Sequence, residues 1–120
     1  MAKEELADHA ERREHPRYAV NIAVDIHIGS EVVSGLMVDI SIAGIRISIS
    51  RLITPSTEIL VTFAEKDEVK ILSRAVWTLE KNTAGLPSYL VGLEIESVLV
   101  NNRDMPGMAE RTAFLDQLLK

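Results

Sequence analysis

The 120-residue sequence contains no cysteine, which excludes disulfide bonds, thiolate metal sites and a thiol nucleophile. Aromatic residues make up only 4% of the chain, so we expect a core of isoleucine, valine and leucine. No apolar run approaches the roughly 18 residues of a membrane-spanning helix, and the N-terminus lacks the apolar stretch of a secretory signal. We therefore expect one cytoplasmic domain that makes no contact with a membrane.

Positive charge is also scarce. The 13 lysines and arginines are outnumbered by 18 aspartates and glutamates, which gives a formal net charge of −5. Such a chain is not attracted as a whole to DNA or to an anionic membrane, and we predict neither as a partner. A small anionic ligand responds instead to the local field around clustered arginines.

Alternation of apolar and polar residues predicts β-strands through most of the chain. The pattern is clearest at Val20, Ile22, Val24, Ile26 and Ile28. Five further strands are predicted through residues 38–40, 45–50, 58–63, 69–80 and 89–96, with a loop of Asn82, Gly85 and Pro87 before the last. Six short strands without intervening helices favour an antiparallel β-barrel.

The two ends of the chain have a different pattern. Residues 1–17 are polar and do not alternate, and we predict a flexible N-terminal arm. Asp104 and Pro106 are typical of a helix start, and apolar residues follow at helical spacing, which predicts a C-terminal α-helix packed on the barrel. The predicted architecture is therefore mainly β, with an arm over 1–17 and a single barrel domain with its helix over 18–120.

Three arginines lie just before the first predicted strand: Arg12, Arg13 and Arg17. A guanidinium presents a planar fork of donors that matches a phosphate or the O6/N7 edge of guanine. The alternative is a solvated charge cluster paired with Glu11 and Glu14. The residues alone leave both interpretations open.

A second motif, Asp39-Ile40-Ser41-Ile42-Ala43-Gly44, lies between the second and third predicted strands. In an extended chain Asp39 and Ser41 project to the same face. A carboxylate can accept hydrogen bonds from N1–H and N2–H₂ of guanine, and a hydroxyl can serve a phosphate oxygen or a carbonyl. Gly44 would allow a bend or the close approach of a ligand. Alternatively, Ser41 caps its own turn and Gly44 serves a tight reversal.

The sequence resembles the PilZ domain family of bacterial cyclic di-GMP receptors. The resemblance rests on an Arg-x-x-x-Arg motif ahead of a β-barrel, followed by an Asp-x-Ser-x-x-Gly motif. The resemblance covers about residues 11–120, including the segment YLVGLEIE, which is similar to the closing barrel strand of the family. It implies that Arg13 and Arg17 hold phosphates and guanine, and that Asp39, Ser41 and Gly44 complete the pocket. Arg12 matches a basic position that accompanies binding of two ligand molecules per chain.

Other residues gave weaker signals. Arg46 fits a solvated strand face better than a phosphate contact, and Trp77 fits the core better than a purine stack at the rim of a site. The three histidines (His9, His15 and His27) lack the spacing of a metal site. Ser41 lacks the elbow of a serine nucleophile, so we predict no catalytic residue, metal or cofactor.

These observations predict a cyclic di-GMP receptor that orders its arm on binding and signals to an unidentified downstream protein, as a monomer or weak homodimer. One alternative is an interaction module of the PilZ fold without a nucleotide ligand. A barrel that binds single-stranded nucleic acid is disfavoured, because such a protein uses exposed aromatics and a basic groove, whereas acidic residues outnumber basic ones in the arm.

Overall fold

The computed structural model describes residues 16–83, 85–104 and 116. Its strands are β1 (Tyr18–Ile28), β2 (Glu31–Ile40), β3 (Gly44–Ile49), β4 (Glu58–Phe63), β5 (Lys66–Thr83), β6 (Leu86–Val100) and β7 (Arg103–Asp104). Residues 1–15 of the predicted arm lie outside the described residues. So does all of the predicted C-terminal helix beyond residue 104 except residue 116, and both elements stay predictions.

The sheet closes on itself. Its strands follow the order β3-β2-β1-β4-β5-β6, and an additional pairing of β3 with β6 completes the ring. Every pairing is antiparallel, and the two-residue β7 adds to the end of β6. The predicted mainly β, six-stranded antiparallel barrel is confirmed, and closure leaves its six strands without a continuous free edge.

The core is aliphatic, as the composition requires. Along the six barrel strands, side chains largely alternate between the interior and the outer face, and isoleucine and valine fill most of the interior positions. The fully buried side chains are Ile26, Met37, Ile40, Ile45, Ile47, Ile59, Ile71, Val61, Val91, Val98 and Ser73. Ser73 is satisfied there because its hydroxyl donates to the Ile59 carbonyl oxygen at 2.9 Å.

The predicted loop between the last two strands is a tight hairpin instead. β5 and β6 stay paired as far as Thr83 opposite Leu86, and β6 pairs with β3 only from Tyr89 onward. The last residues of the hairpin therefore extend past the end of β3. Gly85 makes the short turn possible because its φ of 78° lies in the left-handed region.

The strand register shifts at five places, and two of these shifts, β-bulges in β2 and β5, control which side chains face outward near the end of β2 and the middle of β5. In β2, Met37 pairs with Ile47 and Asp39 pairs with Arg46, so Val38 is an extra residue. In β5, Ala75 pairs with Leu93 and Trp77 pairs with Gly92, so Val76 is extra in the same way. A bulge shifts the residues beyond it to the opposite face of the sheet.

Candidate functional site

The two bulges bring polar and aromatic groups to one outer face of the barrel. Met37 and Ala75 are buried, and strict alternation would turn Asp39 and Trp77 inward as well. The bulges turn both outward instead. Cross-strand pairs then join Asp39 to Arg46, Arg46 to Gly92, and Gly92 to Trp77, in one row across β2, β3, β6 and β5.

Asp39 lies between two guanidinium groups at the start of this row. Its Oδ1 accepts a hydrogen bond from the Arg17 guanidinium at 3.1 Å, and its Oδ2 is bound by the Arg46 guanidinium. The carboxylate is only 8% exposed, whereas the two arginine side chains are about one-third exposed. The carboxylate is thus paired in its buried position, and both arginines keep donors that face solvent.

Ser41 stabilises the turn that joins β2 to β3. Its hydroxyl oxygen accepts hydrogen bonds from the backbone N–H groups of Ala43 at 3.2 Å and Gly44 at 3.1 Å. The Ser41 N–H donates to the Gly44 carbonyl oxygen at 2.8 Å, and the Ser41 hydroxyl contacts the same oxygen at 3.4 Å. This geometry agrees with the alternative in which Ser41 caps its own turn.

Gly44 allows two strands to approach closely at the same turn. A Cβ added to this residue would lie 3.0 Å from the Leu93 carbonyl oxygen and 3.9 Å from the Arg17 guanidinium. Its φ lies outside the left-handed region, so the constraint is one of space. A side chain here would push β3 away from β6 or fill the space beside Arg17.

Trp77 forms the opposite side of the site. Its indole covers Gly92 so closely that any Cβ at position 92 would overlap the ring. Trp77 is 38% exposed, and the structure therefore places it on the outer face and not in the core. Between the indole and the arginines is a cavity of about 280 Å³, whose polar or aromatic lining includes Arg17, Ser41, Arg46, Trp77 and Glu94.

Four of the six predicted site residues lie together on this face: Arg17, Asp39, Ser41 and Gly44. Arg12 and Arg13 fall outside the described residues. Arg46 is not simply the solvated strand residue expected from the sequence, because its guanidinium pairs with Asp39. A signal existed, because a tight four-residue turn over Ser41–Gly44 places position 46 opposite position 39.

Other kinds of site find no support in the part of the chain that the structure describes. No three of its histidine, aspartate or glutamate residues are grouped so that they could hold a metal ion. No described helix is long and apolar enough to cross a membrane. His27 donates to or accepts from the Thr62 hydroxyl at 2.9 Å, between β1 and β4 and away from the cavity.

Comparison with solved structures identifies proteins of similar fold. The complex of K. pneumonia MrkH with c-di-GMP has a TM-score of 0.62 and 14% identity, and the match covers 90% of this chain and 53% of MrkH. The PilZ domain of YcgR from Escherichia coli, with c-di-GMP, has a TM-score of 0.60 and 8% identity. The match covers 90% of this chain and 89% of the YcgR domain. MotI (DgrA), the Bacillus subtilis inhibitor of motility, has a TM-score of 0.57 and 16% identity. The match covers 91% of this chain and 52% of MotI.

The present chain spans about half the length of the MrkH and MotI chains. Comparison with curated proteins found no match. The family model for the PilZ domain matches residues 11–105, which include both sequence motifs and all of the barrel strands. With that match over most of its length and the closed barrel described above, this chain belongs to the PilZ domain family.

Proposed function

We propose that this chain is a receptor for cyclic di-GMP, which binds on the outer face between Arg17 and Trp77. One observation carries the proposal: Arg17 and Asp39, from motifs 22 residues apart, meet at 3.1 Å beside a cavity that Trp77 lines. The fold adds support, because the similar MrkH and YcgR structures contain c-di-GMP.

Ligand binding proceeds by an exchange of partners at Asp39. In the free protein both carboxylate oxygens are occupied by guanidinium groups. A phosphate draws the Arg17 guanidinium toward itself, because a charge-assisted fork suits phosphate as well as carboxylate. Asp39 Oδ1 then becomes free to accept the N1–H and N2–H₂ donors of guanine. The exchange keeps every charged group paired, so burial of the ligand leaves no unpaired charge behind.

Trp77 and Ser41 complete the contacts. The exposed face of the indole stacks on a purine, an interaction of about 1–3 kcal/mol for a base on an aromatic side chain. The Ser41 hydroxyl holds the turn through two backbone N–H groups and uses its own proton in a contact of 3.4 Å. That weak donor interaction is readily exchanged for a phosphate oxygen.

The arm carries the signal. Residues 1–17 fold over the bound ligand, and Arg12 and Arg13 add guanidinium groups to the site. Two ligand molecules bind per chain. Ordering the arm costs on the order of 1–2 kcal/mol for each residue fixed, which several charge-assisted hydrogen bonds offset. The ordered arm presents a new surface to a downstream protein.

Isothermal titration of the purified chain with cyclic di-GMP tests the proposal, with GTP and cyclic AMP as controls. Selective binding at micromolar affinity or tighter is expected. Arg13→Ala or Arg17→Ala should weaken binding about 10- to 100-fold, since each removes charge-assisted hydrogen bonds to the ligand.

Arg51→Ala is the matched control for Arg17→Ala. Arg51 is as exposed as Arg17 and pairs with the single carboxylate of Glu31 at 2.9 Å, outside the cavity. The control should bind as the wild type does. Binding by Arg17→Ala that equals the Arg51→Ala control would contradict the assigned site, and an absence of binding by the wild type would favour the ligand-free interaction module.

A further inference from the structure

We propose that the face carrying Asp39 has a second anion-binding groove, and that this groove accepts a phosphate group. The Lys81 side chain supplies a positive charge to this groove in addition to the two arginines. The inference rests on the proposed function, because the phosphate belongs to a cyclic dinucleotide. Lys81 belongs to neither sequence motif. It lies on β5, where the hairpin with β6 extends past the end of β3.

The second groove adjoins the first across a shared ridge. Arg17 and Arg46, joined through Asp39, line both the cavity beside Trp77 and a separate groove of about 520 Å³. The remaining lining of the second groove is contributed by Ala19, Val38, Ser48, Lys81 and Leu90. Each arginine therefore faces two cavities, and a phosphate on either side of the ridge can reach its donors.

Strand register explains how Lys81 comes to line this groove. Ser48 of β3 pairs with Leu90 of β6, and Lys81 of β5 pairs with Ser88 two residues away. Leu90 and Ser88 lie on the same face of β6 because side chains alternate. A lysine at this position rests its methylene stem beside Leu90 and keeps its ammonium group in water.

The local charge favours an anion although the chain as a whole is negative. In the part of the chain that the structure describes, three positive side chains and one negative side chain line the groove, a net of +2, against −5 for the whole chain. Among the described residues the one carboxylate of the groove, Asp39, is buried between two guanidinium groups. Lys81 makes no ion pair with a carboxylate of the described residues, so its charge is available to a ligand.

The phosphate has two possible sources in a cyclic dinucleotide complex. A single ligand molecule that spans the ridge of Arg17 and Arg46 places its second phosphate in this groove. Two bound ligand molecules place one phosphate in the cavity beside Trp77 and another in this groove. Both sources require the same chemistry, a phosphate oxygen beside Lys81 and Arg46. Titration distinguishes them by the number of ligand molecules bound per chain.

The test titrates cyclic di-GMP into Lys81→Ala and Lys81→Glu at 50 and 500 mM NaCl. At the low salt concentration we expect binding about fivefold weaker in Lys81→Ala and more than about tenfold weaker in Lys81→Glu, with smaller effects at high salt because an exposed charge is screened. A stoichiometry of one in the wild type and in both variants indicates one ligand across the ridge, and a wild-type stoichiometry of two that falls by one molecule per chain in Lys81→Glu indicates a second ligand. Both results support the groove.

Lys70→Ala serves as the matched control, because Lys70 lies on the same strand but lines neither cavity. Circular dichroism checks that all variants are folded. If the wild type binds and Lys81→Glu matches Lys70→Ala in affinity and stoichiometry at 50 mM NaCl, the second groove is refuted while the receptor stands. If the wild type itself does not bind cyclic di-GMP, the proposed function and this inference fall together.

Discussion

At the scale of single residues, Asp39 controls the electrostatics of the outer face. Its carboxylate is buried, and it holds the guanidinium groups of Arg17 and Arg46 on its two oxygens. Without it, two positive groups would face each other on one patch of surface, and like charges at such short distances repel. The aspartate therefore positions both arginines in the free protein, whatever it contacts when a ligand is bound.

Asp39→Asn should destabilise the fold by on the order of 1–3 kcal/mol, because an amide replaces two charge-assisted hydrogen bonds with weaker ones at a buried position. The measurement is urea unfolding, and Asp25→Asn on β1 is the control, since no ion pair of Asp25 is found among the described residues. Equal stability of the two variants would show that the double ion pair contributes nothing to folding.

Gly92 is required by the indole of Trp77, which occupies the space of any side chain at position 92. Gly92→Ala should therefore cost about 1–3 kcal/mol in the free energy of unfolding, as overpacking usually does. The same substitution in a Trp77→Ala background should cost less than about 0.5 kcal/mol, because the clash is then absent. A penalty of equal size in both backgrounds would place its cause in the backbone of β6.

At the scale of elements, the Ser41 hydroxyl stabilises the turn between β2 and β3 together with a backbone hydrogen bond from Ser41 to Gly44. Ser41→Ala leaves the N–H groups of Ala43 and Gly44 without their side-chain acceptor. We expect a loss of about 1–3 kcal/mol in the free energy of unfolding. Ser34→Ala, at an exposed position of β2, is the control and should be nearly neutral. An equally neutral Ser41→Ala would mean that strand pairing alone holds the turn.

The bulges in β2 and β5 are the elements that build the site. Each adds a valine, Val38 or Val76, and each shifts the next outward residue onto the face that carries the cavity. The bulge in β2 also keeps the core apolar, because strict alternation would bury the Asp39 carboxylate among isoleucines. Core packing and site geometry thus have a single cause.

At the scale of the whole molecule, a ligand that binds only the folded chain must stabilise it. At a free ligand concentration of 100 times Kd, the free energy of unfolding should rise by about 2.7 kcal/mol and Tm by about 10 °C. Differential scanning fluorimetry with cyclic di-GMP measures the shift. Arg17→Ala, with its roughly 10- to 100-fold weaker affinity, should gain only about 0.4–1.4 kcal/mol at the same ligand concentration, and an undiminished shift in this variant would argue that the ligand binds elsewhere.

Closure of the arm over the ligand has its own test. Trypsin cleaves after arginine, and Arg12 and Arg13 both lie in the segment proposed to become ordered. Cyclic di-GMP should slow cleavage at these two positions by about tenfold or more, because protease cuts accessible, locally open chain. Mass spectrometry of timed digests identifies each site. Unchanged cleavage there, with ligand shown to be bound, would refute ordering of the arm.

The amino-acid sequence by itself determined the class of fold and half of the site. Alternating isoleucines and valines specify strands whose apolar faces must be buried together, and the absence of intervening helices leaves an antiparallel barrel. The turn at Ser41–Gly44 is also local, so it sets Asp39 opposite Arg46 through the hairpin register. These features depend on neighbours in the chain, and for that reason they can be predicted without coordinates.

Only the tertiary structure decided the orientation of Trp77, the need for Gly92 and the proximity of Arg17 to Asp39. The bulge at Val76 arises from pairing with β6, and the Arg17 contact spans 22 residues. Both the bulge and the contact depend on how strands distant in sequence pair around the closed ring. A one-residue shift in that pairing reverses the face of every later side chain, which local alternation cannot reveal.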